Sequence, residues 1–218
     1  MNTYSDTAHD QQQRRGLVQS LEDKGITDQR VLEALYAVPR QYFMNPELVE
    51  KAYEDKAFPI DEGQTISQPY TVAYQSQLLQ VQPTDRVLEI GTGSAYQAAV
   101  LAAMGARVYT IERQKKLFEK NRHFEYIRSF PNIFFFYGDG YEGLPDYAPF
   151  DRILITAAAP EVPPKLVEQL KRGGMMVLPL GTAPVQRMMR ITKLKDDSLY
   201  EEFFDKFAFV PMLQGKKE

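Results

Sequence analysis

A chain of 218 residues, 44% hydrophobic and 25% charged, has the composition of an ordinary globular α/β domain and is long enough to bury a substantial core. A net charge of −3 gives no electrostatic case for binding nucleic acid or an anionic membrane surface, and the absence of cysteine excludes disulfides and thiolate nucleophiles. Only two histidines are present, His9 in a polar tail and His123 on a charged helix, so neither a histidine-based metal site nor a histidine triad is expected.

The N-terminal run MNTYSDTAHDQQQRRG has no apolar core of a signal sequence, and no stretch reaches the roughly 18 to 20 apolar residues that span a bilayer. A cytoplasmic protein is therefore expected, with residues 1–13 frayed. Leu17, Val18 and Leu21 recur at helical spacing between Arg14 and Lys24, and Gly25 supplies a stop. Thr27 or Asp28 can cap a second helix, Asp28–Val38, which Pro39 ends. An irregular aromatic stretch, Tyr42–Ile60, completes what reads as a helical cap over residues 14–84. Gly63–Pro69 is a loop entering a further helix that stops before Pro83.

The sheet core is predicted over residues 85–218, all within a single domain. Its organising unit is RVLEIGTGSAYQAAVLAAMGARVYTIE: a buried strand (Arg86–Ile90), a glycine turn, an alanine-rich helix (Ala95–Met104) and a second strand (Arg107–Ile111) followed by Glu112. A right-handed crossover is expected to join the two strands. A long helix, Gln114–Ser129, and the strand Ile133–Tyr137 come next, then a strand at Phe150–Thr156. A short helix (Pro163–Lys171), a Gly173-Gly174 turn and a strand (Met175–Leu180) follow. Arg187–Leu194 and Glu202–Phe209 read as an antiparallel hairpin turning at Asp196–Ser198, and the charged tail Gln214–Glu218 reads as mobile. The fold class is thus α/β: a doubly wound, mostly parallel, Rossmann-like sheet with an N-terminal helical cap and a C-terminal antiparallel hairpin.

The glycine turn carries chemical information. Gly91 and Gly93 let the chain bend so that unpaired N–H groups at a helix N-terminus face a ligand, and an acid about 20 residues further on is placed to accept hydrogen bonds from a ribose diol. The dinucleotide fingerprint fails because Tyr96 stands where a third glycine would fall. That suits a ligand without a pyrophosphate, for which S-adenosyl-L-methionine is the candidate. Four strand ends bear special residues: Gly91-Thr92-Gly93-Ser94, Glu112, Gly138-Asp139-Gly140 and Thr156-Ala157. Asp139 is either an acceptor for an exocyclic amine such as that of adenine or a plain turn residue, and Ala157–Ala159 are small either to pack closely or to pass over a cofactor. Ser67, beside Pro69, reads on its own as a helix-entry residue.

Taken together, GQTISQPY (Gly63–Tyr70), EIGTGSAYQAAVLA (Glu89–Ala102), GDGYEGLP (Gly138–Pro145) and the run from Phe150 to Gly181, with VPR (Val38–Arg40), AYED (Ala52–Asp55) and FVPM (Phe209–Met212), resemble the protein-L-isoaspartate O-methyltransferase family. The resemblance implies S-adenosyl-L-methionine as cofactor, its methionine portion at Gly91, Thr92, Gly93 and Ser94, its ribose at Glu112 and its adenine beside Asp139 and Gly140, with Ala157 nearby. It implies that Thr65, Ile66 and Ser67 close over the methyl group, that Ser67 is the active-site residue, and that Thr65, Ser67 and the Val210-Pro211 segment meet the substrate. The implied substrate is the free α-carboxylate of L-isoaspartyl residues in damaged proteins or peptides, the implied product S-adenosyl-L-homocysteine, and a monomer is expected. A non-catalytic cofactor-binding module and a methyltransferase for another small molecule are the alternatives. Two positions depart from the family pattern. Met212 replaces a usual leucine, a volume-conserving change, and Ala95 stands where glycine is usual. Alanine fits there if the position is already helical, whereas a positive φ would cost about 1 kcal/mol or more.

Overall fold

A computed structural model describes residues 5–182 and 184–218. Its centre is a seven-stranded sheet built from β3 (Arg86–Ile90), β4 (Arg107–Glu112), β5 (Ile133–Tyr137), β6 (Phe150–Ile155), β7 (Leu170–Leu180), β8 (Gln186–Lys193) and β9 (Leu199–Phe207), in the order β5-β4-β3-β6-β7-β8-β9. The strands from β5 across to β7 run parallel, and β8 and β9 close the far side as an antiparallel hairpin. Strand order reverses between β3 and β6, so a crevice opens at the carboxyl ends of these strands and of the adjoining β4.

Side chains alternate across this sheet and both faces are covered. Val87, Val108, Leu154 and Val177 point to the face packed by the helices α1 (Ala8–Asp23), α2 (Gln29–Ala37), α3 (Pro69–Leu79) and α4 (Tyr96–Ala103), while Leu88, Tyr109, Ile153 and Met176 point to the face covered by α7 (Pro164–Gln169). Every residue of α4 from Tyr96 to Ala102 is buried, because α4 lies between α2 and the sheet and needs no polar side. The cap also contains three 3₁₀ turns, Arg40–Phe43, Pro46–Lys51 and Asp61–Gly63, and a two-residue ladder that pairs β1 (Phe58–Pro59) with β2 (Thr65–Ile66).

Several elements differ from the sequence expectation. The first helix begins at Ala8 rather than after residue 13, because Thr7 and Asp10 form a reciprocal capping box; residues 1–4 of that expected frayed tail lie outside the described residues. The single helix expected over 114–129 is two, α5 (Lys115–His123) and α6 (Glu125–Arg128). Phe124 between them is extended (φ −71°, ψ 106°), which brings its ring within 5.3 Å of that of Phe43 in the cap. The expected Gly173-Gly174 turn lies inside β7, where the pairing with β6 jumps from Phe150–Leu170 to Arg152–Met175. The tail is docked: Lys217 N–H donates to the Arg113 carbonyl and Lys115 N–H to the Lys217 carbonyl.

Candidate active site

The glycine turn after β3 is fixed on all sides by side chains that grip its backbone. Gly91 has φ +97°, and a Cβ there would stand 2.7 Å from the Thr156 hydroxyl oxygen, so only glycine fits. That hydroxyl donates to the Gly91 carbonyl at 2.8 Å. Gly93 N–H donates to Glu112 Oε2 at 2.9 Å, and its carbonyl accepts from Asn121 Nδ2 at 2.9 Å. Ala95 closes the turn at φ 67°, ψ 10°, fully buried, so the chain carries the left-handed alanine that the sequence had left conditional.

Glu112 is 4% exposed. Its Oε1 accepts the Gln114 N–H at 2.8 Å and its Oε2 the Gly93 N–H, leaving a second lone pair on each oxygen. Burial raises this carboxyl above its ordinary range, against the pull of those two N–H groups. Beneath the turn lies a second acid. Glu89 on β3 is fully buried and accepts a hydrogen bond from Thr110, whose hydroxyl also meets that of Thr92 at 2.6 Å. Burial pushes the Glu89 carboxyl up to about 8, helped by the nearby Glu112 charge and opposed by the Thr110 bond.

The opposite wall comes from the cap. Hydrogen bonds of the β1–β2 ladder hold the 63–67 loop, and Asp55 caps α3 by accepting the Tyr70 N–H at 2.8 Å. This leaves Ser67 at the mouth, partly exposed, its hydroxyl without a protein partner among the described residues. The third wall is the chain after β9. Ala158 N–H donates to the Val210 carbonyl and Met212 N–H to the Ala158 carbonyl, both at 2.8 Å, so the small residues 157–159 allow a returning strand to lie against the end of β6.

These walls enclose one crevice of about 670 Å³, a size that accepts a cofactor-scale ligand. Thr65, Ile66, Ser67, Gly91, Thr92, Gly93, Ser94, Glu112, Gly140, Ala157 and Val210 all line it. At Gly140 a Cβ would collide with the Ile90 side chain, which keeps that strand end open. Asp139 is not in the lining. Its carboxylate accepts the Tyr141 N–H at 2.9 Å and the Gly215 N–H at 2.7 Å, so it closes an Asx turn and holds the tail. Lining residues that sequence reasoning passed over are Tyr70, Thr71, Tyr96, Gln97 and the stretch Asp205–Phe209. The first four lie on buried or half-buried helix positions within motifs already noted, whereas nothing in the pattern of β9 and the residues just after it signals a site.

A doubly wound sheet whose switch-point crevice combines a glycine turn with an acid at the end of the next strand is that of a Rossmann-like, S-adenosyl-L-methionine-dependent methyltransferase. Residues 12–217 match the family described as protein-L-isoaspartate(D-aspartate) O-methyltransferase (PCMT), and the chain belongs to that family. It is 51% identical over 212 residues to the protein-L-isoaspartate O-methyltransferase of Flavobacterium johnsoniae, covering 97% of this chain and 99% of that protein. To the enzyme of the same name from Christiangramia forsetii it is 48% identical over 211 residues, again covering 97% and 99%. Among solved structures, a protein-L-isoaspartate O-methyltransferase superposes with a TM-score of 0.81 at 28% identity, covering 91% of this chain and 65% of that one. A Plasmodium falciparum structure, described as a putative protein-L-isoaspartate O-methyltransferase in complex with S-adenosyl-L-homocysteine, shares the fold with a TM-score of 0.78 at 24% identity, covering 92% and 98%.

Proposed function

We propose that this chain transfers a methyl group from S-adenosyl-L-methionine to the free α-carboxylate of L-isoaspartyl residues in damaged proteins and peptides, the first step of their repair. The observation that carries this reading is the meeting, in one crevice, of the glycine turn and Glu112 with the Ser67 loop, in a chain that belongs to the isoaspartyl methyltransferase family over residues 12–217. Gly91–Ser94 would hold the methionine portion of the cofactor and Glu112 its ribose through the free lone pairs. Gly140 and Ala157 would leave room for the flat base. Asp139 would act at the edge of the adenine, where it also secures the tail.

When bound, the cofactor supplies a methyl group already activated by its sulfonium charge. The acceptor is a carboxylate with a pKa near about 4, ionised at neutral pH, so no residue has to remove a proton. The work left to the protein is alignment and exclusion of water. Ser67 donates its hydroxyl proton in a hydrogen bond to one carboxylate oxygen, which turns the other toward the methyl group; Thr65 and Ile66 close the loop over it and Val210 lies along the peptide. The cofactor would supply the methyl group to the carboxylate oxygen as its carbon–sulfur bond is lost, so that the products would be a methyl ester and S-adenosyl-L-homocysteine, the latter held by Gly91–Ser94 and Glu112. Ring closure by the neighbouring backbone nitrogen to a succinimide, and hydrolysis to some normal aspartate, then need no catalyst. We place the protein in the cytoplasm, a reading that its lack of cysteine supports, and read it as a monomer with a single domain built on one seven-stranded sheet. Methyl uptake from labelled cofactor, compared on isoaspartyl and aspartyl versions of one peptide, tests the proposal: transfer to the isoaspartyl peptide alone is expected, and cofactor binding without transfer would refute it.

A further inference from the structure

Arg40 is absent from the crevice lining, yet it is the largest fully buried side chain of the cap, with 0% exposure. Its Nη2 donates to the Ser67 carbonyl at 2.8 Å and reaches the Lys56 carbonyl at 3.4 Å. The guanidinium carbon lies 4.8 Å from the centroid of the Tyr96 ring, and Tyr96 lines the crevice as the first residue of α4. Among the described residues, Nε and Nη1 have no acceptor within hydrogen-bond geometry and Arg40 forms no ion pair. Burial accordingly lowers its pKa, while the Tyr96, Asp55 and Tyr53 side chains around it oppose that shift.

A buried charge without a carboxylate partner is expensive, and apolar residues of similar volume commonly serve a core better. Fold stability therefore does not explain an arginine here. Its placement does: the planar guanidinium presents a donor to the Ser67 backbone and a face to Tyr96, and so spans the loop wall and the α4 wall that follows the glycine turn. Resting on the functional reading above, we infer that Arg40 is a positioning residue for methyl transfer, which sets the Ser67 loop against the Tyr96 wall without touching substrate or cofactor. The Ser67 carbonyl is the handle and the Ser67 hydroxyl is what gets aimed.

The test compares the wild type with Arg40→Gln, Arg40→Lys, Ser67→Ala and the double variant Arg40→Gln/Ser67→Ala. It measures kcat and KM on an isoaspartyl peptide, affinity for S-adenosyl-L-homocysteine by calorimetry, Tm, and hydrogen exchange of the 65–68 amides. Arg40→Gln is expected to lower kcat about tenfold or more, since small misplacements of aligned groups are costly, with affinity for the homocysteine product kept within about threefold. Arg40→Lys keeps a charged donor able to reach the Ser67 carbonyl and should recover part of the loss. In the Ser67→Ala background, Arg40→Gln should add less than about twofold, because the group through which it acts is gone. The 65–68 amides should exchange faster in Arg40→Gln while the sheet core does not.

A kcat within about twofold of wild type, full additivity with Ser67→Ala, or a parallel fall of affinity and turnover would each overturn the inference. Should Arg40→Gln fail to fold, the same comparisons are made with Arg40→Lys, for which a misplaced loop still predicts a kcat loss without an affinity loss. A wild type inactive on the isoaspartyl peptide overturns the functional reading and the catalytic half of this inference, and unchanged 65–68 exchange overturns the positional half.

Discussion

Replacing Glu89 by glutamine should make the protein more stable, and increasingly so as pH rises. Glu89 is fully buried on β3 among Val87, Thr92 and Thr110, and burial pushes its carboxyl from an ordinary 4.5 to about 8. In the unfolded chain the same group ionises near 4.5, so between these two values the folded state holds a proton that the unfolded state has released. The sign follows from that difference: the contribution of Glu89 is most favourable below about 4.5, is lost at about 1.4 kcal/mol per pH unit as pH rises, and levels off above about 8. The whole interval amounts to at most about 5 kcal/mol, against a total stability on the order of 5–15 kcal/mol for a typical domain, so the effect is large enough to measure. Relaxation and water around the new charge reduce it, and about 2–4 kcal/mol is expected at pH 8.5.

Glu89→Gln abolishes the titration while an amide of the same shape still offers Thr110 an acceptor. Urea and thermal unfolding of both proteins at pH 5, 7 and 8.5 is the assay. The variant should lie within about 1 kcal/mol of wild type at pH 5 and should melt about 5–10 °C higher at pH 8.5. Parallel stability profiles, or a variant less stable at pH 8.5, would refute the argument that Glu89 is held protonated in the fold.

Three further outcomes follow from the same geometry. Ser67→Ala removes one hydrogen bond to a charged acceptor, worth about 1.5–3 kcal/mol, so turnover on an isoaspartyl peptide should fall about 10- to 100-fold with cofactor affinity unchanged; equal turnover takes Ser67 out of its role. Glu112→Gln turns an amide NH₂ toward either the Gly93 or the Gln114 N–H, and calorimetry should show S-adenosyl-L-homocysteine binding weakened about 10- to 100-fold; an unchanged affinity disposes of the ribose assignment. Ala95→Gly relieves about 1–2 kcal/mol of left-handed strain but gives up a buried methyl and stiffness of the unfolded chain, terms of similar size, so Tm should move by less than about 3 °C; a tenfold gain in cofactor affinity would mean that the strain reaches the binding site.

What could be read in the sequence was whatever has a period or a special backbone. The β3–turn–α4–β4 unit stands out by its almost unbroken apolar strand, its alanine-rich helix, a second strand of β-branched and aromatic residues and glycines where φ is positive, and its extent in the structure differs from expectation by a residue at most. Contacts between distant polar groups have no such signature. Residues 9–13 are polar on every side, so periodicity is silent about them, although Thr7 and Asp10 stand at capping-box spacing. Arg14 looks like a surface residue and is 5% exposed, because it pairs with Asp6 and donates to Tyr53. The break at Phe124 brings it against the Phe43 ring, 81 residues away in the chain, and the tail is docked by backbone groups that any residue carries. Asp139 shows the limit most clearly: its type and neighbours suit a ligand contact, and only the structure reveals that its two oxygens also accept the Tyr141 and Gly215 N–H groups, the second of which holds the tail.

The polar contacts around the crevice share a form that bears on the chemistry. Glu112 grips the Gly93 N–H, Asn121 the Gly93 carbonyl, Thr156 the Gly91 carbonyl, Arg40 the Ser67 carbonyl, and Asp139 the Gly215 N–H. Each is a side chain clamping main chain, and none is a pair of titratable groups poised to exchange a proton. A reaction that began with proton abstraction would need a positioned base within reach of the substrate. Methylation of an ionised carboxylate does not; it needs walls that stay where they are while two reactants are brought into line. The network of backbone clamps provides that rigidity, and it leaves the Ser67 hydroxyl without a protein partner among the described residues, which is what the proposed contact with the incoming anion requires.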